Sequence, residues 1–336
     1  MIQVRRSLRL SGGRHVIAAG ESDGRPEATG DLDSHRWGVI LASGDGKRLL
    51  PLTRRITGDE RPKQFCALTG SETLLKQTRR RVGRMVLAPQ TLLVMTRAHE
   101  CYYADNVAGV SSTCLLVQPH NHGTAAAIAY GLTRVGQTDP LGIVAFFPSD
   151  HHFANEEAFI TYVDWAFIQA KSHPERVILL GIEPEAAEDA YGWIEPGSPL
   201  ASGSSTLVSE VSRFWEKPPR RVASLLMRRG CLWNSFVMVG TVGAFRNLIQ
   251  HTLPDLLSCF ESMPPMVVSS GEHRVLGEIY HKLPPADFSG QVLSARPSNL
   301  AVIRGRGLGW SDLGDPERAL SVLNHKGLTS KAEASG

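Results

Sequence analysis

The sequence predicts an α/β fold with a mainly parallel central sheet and a C-terminal extension of mixed, largely helical character. Apolar runs of strand length recur between residues 37 and 182, and helical patterns lie between them. Strands that alternate with helices indicate parallel pairing, because each helix returns the chain to the same edge of the sheet. The 336 residues and 42% hydrophobic content provide a core for one large domain or two modest ones.

The strands are predicted from continuous apolar runs, which are typical of strands buried on both faces. The first run is WGVILA at residues 37–42, which ends in small residues. Further runs are TLLVMT at 91–96, TCLLVQ at 113–118, GIVAFFPSD at 142–150 and RVILLGI at 176–182. Beyond residue 190, the segments YGWIEPG and VSRFWEKP have the pattern of exposed or mixed strands.

The helices are predicted where apolar residues recur at helical spacing. The clearest case is residues 155–171, where Asn155 is a favourable N-cap and Glu156 and Glu157 suit the first turn. The apolar face of this helix consists of Phe159, Tyr162, Val163, Ala166, Phe167 and Ala170. Other helices are predicted at 124–135 and 219–230, and helical segments dominate 241–325 around a strand at 300–305.

Three regions are predicted along the chain. Residues 1–35 are rich in Gly, Ser, Arg and acidic residues without a sustained period, so we expect a disordered tail. Residues 36–250 form the predicted core, and residues 251–330 form a C-terminal segment that we expect to complete the active site.

Composition narrows the class of protein. A net charge of +3 with 21% charged residues is too mild to predict a nucleic acid or an anionic membrane as the main partner. No apolar run approaches the roughly 20 residues of a membrane span, and the N-terminal arginines lack an apolar signal core. The five cysteines are scattered without a CxxC motif. We therefore expect a soluble, cytoplasmic protein with reduced thiols.

The stretch LASGDGKRLLPLTRRITGDERPKQF at residues 41–65 has the residue types of a phosphate-binding loop. Ser43, Gly44 and Gly46 leave room for backbone N–H groups to approach phosphate oxygens, while Arg48 and Lys63 supply charge. The stretch matches neither the Walker A motif nor GxGxxG. An ordinary turn with surface cations is therefore an open alternative.

Two acidic residues are candidate metal ligands. Asp150 follows a predicted strand in PSDHH, and Asp312 lies among small residues in GWSDLGD. Mg²⁺ prefers one or two carboxylates together with phosphate oxygens, so the two residues are suited to share one ion. Helix capping by Asp150 is the alternative. The adjacent His151 and His152 point to opposite faces of a strand, which does not favour zinc.

The order of the motifs resembles that of the sugar-phosphate nucleotidyltransferase family over residues 37–325. The glycine-containing turn with its arginine is followed by PKQF, PSDH, YGWIEPG, EKP, LWNS and GWSDLG. EKP and PSDH are widespread in the family. PKQF, LWNS and GWSD together resemble its mannose-1-phosphate guanylyltransferase branch.

The resemblance implies a Rossmann-like nucleotidyltransferase fold and a reaction of GTP with mannose 1-phosphate that gives GDP-mannose and pyrophosphate. It implies Mg²⁺ as cofactor, held by Asp150 and Asp312, and catalytic roles for Arg48 and Lys63. The implied nucleotide-binding residues are Ser43, Gly44, Gly46, Arg48, Gln118, Gly123 and Thr124. The implied sugar-phosphate-binding residues are Gly192, Glu216, Lys217 and Asn234.

Departures from the family pattern leave alternatives open. Ser43-Gly44 stands where two glycines are usual, His122-Gly123 replaces an Arg-Asn pair, and ADFSGQVL at 286–293 differs from the common form. The same reaction with another nucleotide or hexose 1-phosphate is one alternative, and a non-catalytic sugar-nucleotide sensor is another. The sequence does not decide the oligomeric state, with a homodimer among the choices. Longer relatives carry an isomerase domain, and we expect no isomerase activity here.

Overall fold

The structure is a computed structural model that describes residues 35–200, 208–265 and 270–325. Apart from His35, the predicted tail lies outside the described residues. In chain order the strands are β1 (Arg36–Leu41), β2 (Thr91–Thr96), β3 (Leu115–Gln118), β4 (Ile143–Pro148), β5 (His152–Phe153), β6 (Val177–Ile182), β7 (Trp193–Pro199), β8 (Val208–Trp215), β9 (Leu232–Thr241), β10 (Leu300–Gly305) and β11 (Trp310–Ser311). The predicted strands at 91–96 and 300–305 coincide with β2 and β10.

The helices of the described ranges include those predicted at 124–135, 155–171 and 219–230. They are α1 (Leu50–Thr57), α2 (Leu74–Val82), α3 (Glu100–Tyr103), α4 (Thr124–Thr138), α5 (Glu156–Ser172), α6 (Arg220–Arg228), α7 (Val242–Thr252), α8 (Pro254–Glu261), α9 (Ser270–Lys282) and α10 (Pro316–His325). As predicted, Asn155 caps α5, since its Oδ1 accepts a hydrogen bond from the backbone nitrogen of Ala158 at 3.0 Å.

Nine strands form one sheet in the order β3-β2-β1-β4-β9-β6-β10-β8-β7, and β9 also pairs with β7. The pairs β1–β2, β1–β4, β2–β3 and β6–β10 are parallel. Both β9 and β8 run antiparallel to all of their neighbours, so they oppose the direction of the other strands. The α/β prediction is confirmed, and the sheet is mainly parallel in strand direction with two reversed strands.

Helices cover both faces of this sheet, and adjacent residues of β1 show it directly. Val39 packs into the core beneath α4, α7 and α8, whereas Ile40 packs into the opposite core beneath α2 and α5. Both side chains are 0% exposed. This burial on two faces explains why the strand sequences are continuous apolar runs rather than alternating ones.

A separate two-stranded ladder lies outside the main sheet. β5 and β11 pair in antiparallel fashion, with Trp310 opposite Phe153 and Ser311 opposite His152. Trp310 and Ser311 belong to the predicted C-terminal segment, so this ladder joins that segment to the loop after β4. None of the helices within the described ranges is both long enough and apolar enough to span a bilayer.

Candidate active site

The loop after β1 forms a tight turn that leads into a helix. Gly46 has a φ of 60°, in the left-handed region that glycine adopts without strain. A Cβ at this position would lie 3.3 Å from the backbone nitrogen of Lys63. A short 3-10 turn at Lys47–Leu49 then leads directly into α1. Gln64 holds the loop in place, because its Nε2 donates to the carbonyl of Gly44 at 2.8 Å.

The two ends of this loop differ in accessibility. Ser43 is buried, and its carbonyl accepts a hydrogen bond from Thr96 Oγ1 at 3.2 Å. Arg48 is exposed and forms no ion pair with any carboxylate in the described part of the chain. The loop therefore anchors its backbone inside the protein and presents a guanidinium group that has no protein partner among the described residues.

The antiparallel β5–β11 ladder explains how the two candidate metal ligands come together. In the register of the ladder, Ser311 lies opposite His152. If the same register continues for one more residue, Asp312 lies opposite His151, which is the neighbour of Asp150. Further hydrogen bonds extend the ladder on its other side, from the backbone nitrogen of Ala154 to the carbonyl of Gly309 at 3.1 Å. Residues far apart in sequence are thereby delivered to one place.

One cavity of about 430 Å³ contains both acids and both predicted catalytic cations. Its lining consists of Asp45, Gly46, Lys47, Arg48, Leu49, Lys63, Asp150, His151, Asp312 and Gly314. It lies at the ends of β1 and β4, where the carboxyl ends of parallel strands meet at one edge. Larger cavities elsewhere do not contain these acids.

Lys63 connects the loop to the two acids. Its Nζ lies 3.3 Å from Asp150 Oδ2 and donates to the carbonyl of Leu313 at 3.2 Å and to the carbonyl of Asp312. The side chain of Lys63 is only 10% exposed. A charged ammonium this deeply buried requires such partners, because an unpaired buried charge is costly.

The carboxylate of Asp312 is held through one of its two oxygens. Oδ1 accepts hydrogen bonds from Tyr191 Oη at 2.9 Å and from the backbone nitrogen of Gly314 at 2.8 Å, and Arg318 Nε lies 3.3 Å away. Oδ2 accepts no hydrogen bond from any residue in the described part of the chain. Burial raises the pKa of Asp312, but the positive charges of Lys63 and Arg318 outweigh it, so the pKa is lowered and the group is anionic.

His151 lies in the same cavity as a neutral ring. Trp310 Nε1 lies 3.3 Å from Nδ1, so Nδ1 acts as the acceptor. Nε2 lies 3.8 Å from Asp150 Oδ1. Burial lowers the pKa of His151, and the neighbouring carboxylate of Asp150 offsets only part of this effect.

The donor set suits a hard divalent cation that completes its shell from elsewhere. Within residues 35–200, 208–265 and 270–325, no three His, Cys, Asp or Glu side chains form a metal-binding group. Two carboxylates with a free oxygen on Asp312 match Mg²⁺, which takes its remaining ligands from phosphate and water. The assignment of Asp150 and Asp312 as metal ligands remains a prediction.

The four residues expected to bind the sugar phosphate also lie together. A Cβ on Gly192 would be 3.2 Å from Glu216 Oε2, and the backbone nitrogen of Asn234 donates to the carbonyl of Gly192 at 2.8 Å. Lys217 Nζ pairs with Glu216 Oε1 at 2.5 Å. Tyr191, which donates to Asp312, immediately precedes Gly192, so this group is adjacent to the acid pair.

The residues expected to bind the base form a second group around the N-terminus of α4. Gly123 has a φ of 87°, and a Cβ there would lie 2.3 Å from the carbonyl oxygen of Ala286. Gln118 is fully buried, and its Oε1 accepts a hydrogen bond from Tyr280 Oη at 2.5 Å. Gln118 is thus buried, with its side-chain oxygen bound to Tyr280.

Asp287 connects the base group with the sugar group. Its Oδ1 accepts a hydrogen bond from Thr124 Oγ1 at 3.1 Å, and its Oδ2 accepts one from the backbone nitrogen of Gly290 at 2.7 Å. A Cβ on Gly290 would lie 3.7 Å from Glu216 Cγ. Asp287 and Gly290 thus link Thr124 of the base group to Glu216 of the sugar group.

The sequence profile that describes nucleotidyl transferases matches residues 37–326, which is most of the chain. The chain belongs to the nucleotidyl transferase family.

Curated relatives match this nucleotidyl transferase over more than four fifths of its length. Mannose-1-phosphate guanylyltransferase 2 of Escherichia coli O157:H7 is 29% identical over 82% of this chain and 57% of its own length. Mannose-1-phosphate guanylyltransferase ManC of Salmonella typhimurium is 28% identical over 85% of this chain and 59% of its own. Xanthan biosynthesis protein XanB of Xanthomonas campestris pv. campestris, strain B100, is 28% identical over 86% and 60%. This chain thus spans less than two thirds of the length of these relatives.

Solved structures share the fold of this nucleotidyl transferase. A Thermus thermophilus protein described as a mannose-1-phosphate geranyltransferase superimposes with a TM-score of 0.72 at 26% identity, covering 85% of this chain and 79% of its own. A Helicobacter pylori protein described as a mannose-6-phosphate isomerase gives a TM-score of 0.63 at 19% identity, covering 82% and 99%. The second likeness concerns the fold alone.

Four residues of the candidate site have no role assigned to them in the sequence analysis. Tyr191 and Arg318 hold Asp312, Gln64 fixes the Gly44 carbonyl, and Asp287 joins Thr124 to Gly290. Three of them lie in motifs that could have indicated a role: Tyr191 in YGWIEPG, Gln64 in PKQF and Asp287 in ADFSGQVL. Arg318 lies on α10, and nothing in its local sequence indicates its partner.

Proposed function

We propose that this protein transfers a guanylyl group from GTP to mannose 1-phosphate and releases GDP-mannose and pyrophosphate. The observation that carries the proposal is the cavity in which Asp150 and Asp312 share walls with Arg48 and Lys63. Two anions and two cations at one strand-end edge provide the components for binding a metal-bound chain of phosphates. The choice of guanylyl and mannose rests on what the curated relatives are named for.

The proposed reaction is an in-line displacement. An oxygen of the sugar phosphate attacks the α-phosphorus of the nucleotide, and pyrophosphate leaves. The nucleophile is already ionised at neutral pH, so no general base is required, and catalysis consists of positioning and charge neutralisation. The proposed step removes no proton from the nucleophile, so it requires no general base from the neutral ring of His151.

The cations of the chain act on the phosphates. Arg48 carries a planar fork of donors without a protein partner among the described residues, which suits bidentate binding to phosphate oxygens. Lys63 contributes a compact charge at the same cavity. Asp150 and Asp312 would hold Mg²⁺, which when bound neutralises charge on the phosphate oxygens. The Oδ1 atom of Asp312 accepts a hydrogen bond from Tyr191, so the carboxylate is held in a defined orientation.

The remaining residues orient the two substrates. We assign Gln118, Gly123 and Thr124 to the base side. The residues assigned to the sugar side are Gly192, Glu216, Lys217 and Asn234. Asp287 lies between the two sides, so both substrates would be held by one connected network. Because Asp312 and Asp287 both lie in residues 251–330, we also propose that this C-terminal segment completes the active site of the core formed by residues 36–250.

A substrate panel tests the proposal. GTP, ATP, UTP, CTP and dTTP are each combined with mannose, glucose and galactose 1-phosphates in the presence of Mg²⁺, and pyrophosphate release is measured. We expect GTP with mannose 1-phosphate to give the highest kcat/KM. A pair that exceeds it tenfold or more contradicts the specificity. Binding of GDP-mannose without turnover of any pair would indicate a sugar-nucleotide sensor instead.

A further inference from the structure

The ammonium group of Lys63 is fully engaged by the protein. Nζ pairs with Asp150 Oδ2 at 3.3 Å and donates to the backbone carbonyls of Asp312 and Leu313. An ammonium has three N–H donors and no acceptor. Two of its donors are given to carbonyls and its charge is paired with a carboxylate, so Lys63 cannot bind phosphate fully without leaving some of these oxygens.

The backbone after Asp312 is shaped to surround this cation. Leu313 has a φ of 48°, a left-handed conformation that is uncommon for a residue with a side chain. In an extended chain, consecutive carbonyls point to opposite sides, whereas this turn directs the carbonyls of Asp312 and Leu313 to one ammonium. Leu313 is 0% exposed and packs with Leu49, Leu52 and Cys66, which holds the turn in place.

The oxygens around Lys63 are those that a hard cation selects. A carboxylate oxygen and two carbonyl oxygens contact Nζ, and the Asp312 carboxylate lines the same cavity. Hard divalent cations take carboxylate and carbonyl oxygens as ligands. The ammonium of Lys63 thus occupies a position whose oxygen atoms suit a bound cation.

We propose that in the substrate-free protein the Lys63 ammonium is the resident counter-ion of Asp150, held also by the Asp312 and Leu313 carbonyls, and that it leaves these oxygens when a divalent cation enters. Before metal binds, the ammonium offsets the charge of Asp150 and holds these oxygens in position. The exchange releases the ammonium only when the cation that accompanies a nucleotide is present. The second use of Lys63, on phosphate, rests on the proposed function, whereas the exchange itself does not.

Metal binding in the absence of nucleotide tests the exchange. The probe is Mn²⁺ alone, with free Mn²⁺ measured by electron paramagnetic resonance during titration of the protein. We expect Lys63→Met to bind Mn²⁺ at least about tenfold more tightly than the unmodified chain, because no internal cation competes for the oxygens. Arg48→Met is the matched control, since Arg48 lines the same cavity but contacts neither acid, and we expect a change below about threefold from its more distant charge.

Unchanged or weaker Mn²⁺ binding by Lys63→Met would overturn the proposal. An equal gain in Mn²⁺ affinity in Arg48→Met would also overturn it, because removing any nearby positive charge would then explain the effect. Lys63→Gln provides a second variant if Lys63→Met does not fold, because its amide keeps a donor for the carbonyls and lacks the charge. Thermal unfolding confirms that each variant is folded. The measurement contains no substrate, so its outcome is independent of whether the guanylyl transfer proposal is correct.

Discussion

The two carboxylate oxygens of Asp312 have different surroundings. Oδ1 is fixed by Tyr191, Gly314 and Arg318, whereas Oδ2 accepts no hydrogen bond from the described residues. A carboxylate fixed in this way loses little conformational freedom when it binds a cation, which favours binding. Gly314 is required for this arrangement, because a Cβ there would lie 2.2 Å from Asp312 Oδ2.

We predict that Asp150→Asn and Asp312→Asn each lower kcat by about 10²–10³-fold, the usual effect of removing one charge-stabilising contact. In Asp312→Asn, the amide oxygen still accepts the hydrogen bonds that Oδ1 accepts now, so the fold is retained. Pyrophosphate release measures the rate, and thermal unfolding checks the fold. Asp105→Asn is the control, because Asp105 is exposed and lines a different cavity. Near-normal turnover in either cavity variant would remove the shared-cation mechanism.

At the scale of secondary structure elements, two short junctions organise the site. The β5–β11 ladder brings Asp312 to Asp150, although each of its strands has only two residues. The N-terminus of α4 contacts the segment at 286–290, where Ala286 accepts a hydrogen bond from the backbone nitrogen of Ala125 at 3.1 Å. Both junctions attach the C-terminal segment to the core.

Gly123 at the α4 junction provides a test at this scale. Its φ of 87° and ψ of −179° lie in a region that only glycine enters readily, and a Cβ would meet the Ala286 carbonyl oxygen at 2.3 Å. We predict that Gly123→Ala lowers the free energy of unfolding by roughly 1–3 kcal/mol, the cost of such backbone strain. Chemical denaturation measures it.

Gly277→Ala is the matched control for this test. Gly277 lies within α9, and apart from the backbone of its own helix no atom of the described residues lies within 4 Å of a Cβ placed there. Alanine in a helix interior is favoured over glycine by about 0.5–1 kcal/mol, so this variant should be slightly more stable. If both variants change the free energy of unfolding in the same direction, the close approach of Gly123 to the Ala286 carbonyl is not what makes glycine necessary at position 123.

At the scale of the whole molecule, the fold places hydrophobic cores on both faces of the sheet and a third small one beside the cavity. The third core joins Leu49 and Leu52 near α1 to Leu313 and Ala319 near α10. It connects the loop after β1 with the C-terminal segment, so the cationic and acidic walls of the cavity are supported by the same packing.

The burial of the cysteine side chains provides a test of this packing. Cys66, Cys114 and Cys231 are buried, whereas Cys101 is exposed and Cys259 is partly buried. Burial raises the pKa of the Cys66 thiol to about 12 and that of Cys231 to about 11. Since the thiolate is the reactive form, these thiols are doubly protected at pH 8.

We therefore predict that a disulfide reagent such as DTNB modifies Cys101 rapidly in the native protein and Cys259 more slowly. The three buried thiols should react only when the chain unfolds in guanidinium, and absorbance at pH 8 follows each phase. Cys101→Ser should abolish the fast phase, while Cys66→Ser should leave it intact. Rapid native reaction of three or more thiols would show that the cores are more open than described.

Sequence reasoning succeeded where a physical signal is local. Continuous apolar runs predicted β1, β2, β4, β6 and β10, because burial on both faces requires apolar residues at every position. The N-cap at Asn155 was also predicted from a local signal, because helix capping depends on residues within one turn. The reversal of β8 and β9 was not predicted, because strand direction depends on connections rather than on composition.

For the candidate site, the sequence determined the residue types, including the acids, the cations and the glycines that the loop after β1 and the α4 N-terminus require. Their motif order indicated the family. Only the tertiary structure decided that Asp312 reaches Asp150 and that Lys63 lies between the two segments. The physical reason is that two-residue strands and single long-range hydrogen bonds carry no periodic pattern. They form only after the cores on either face have brought distant segments together.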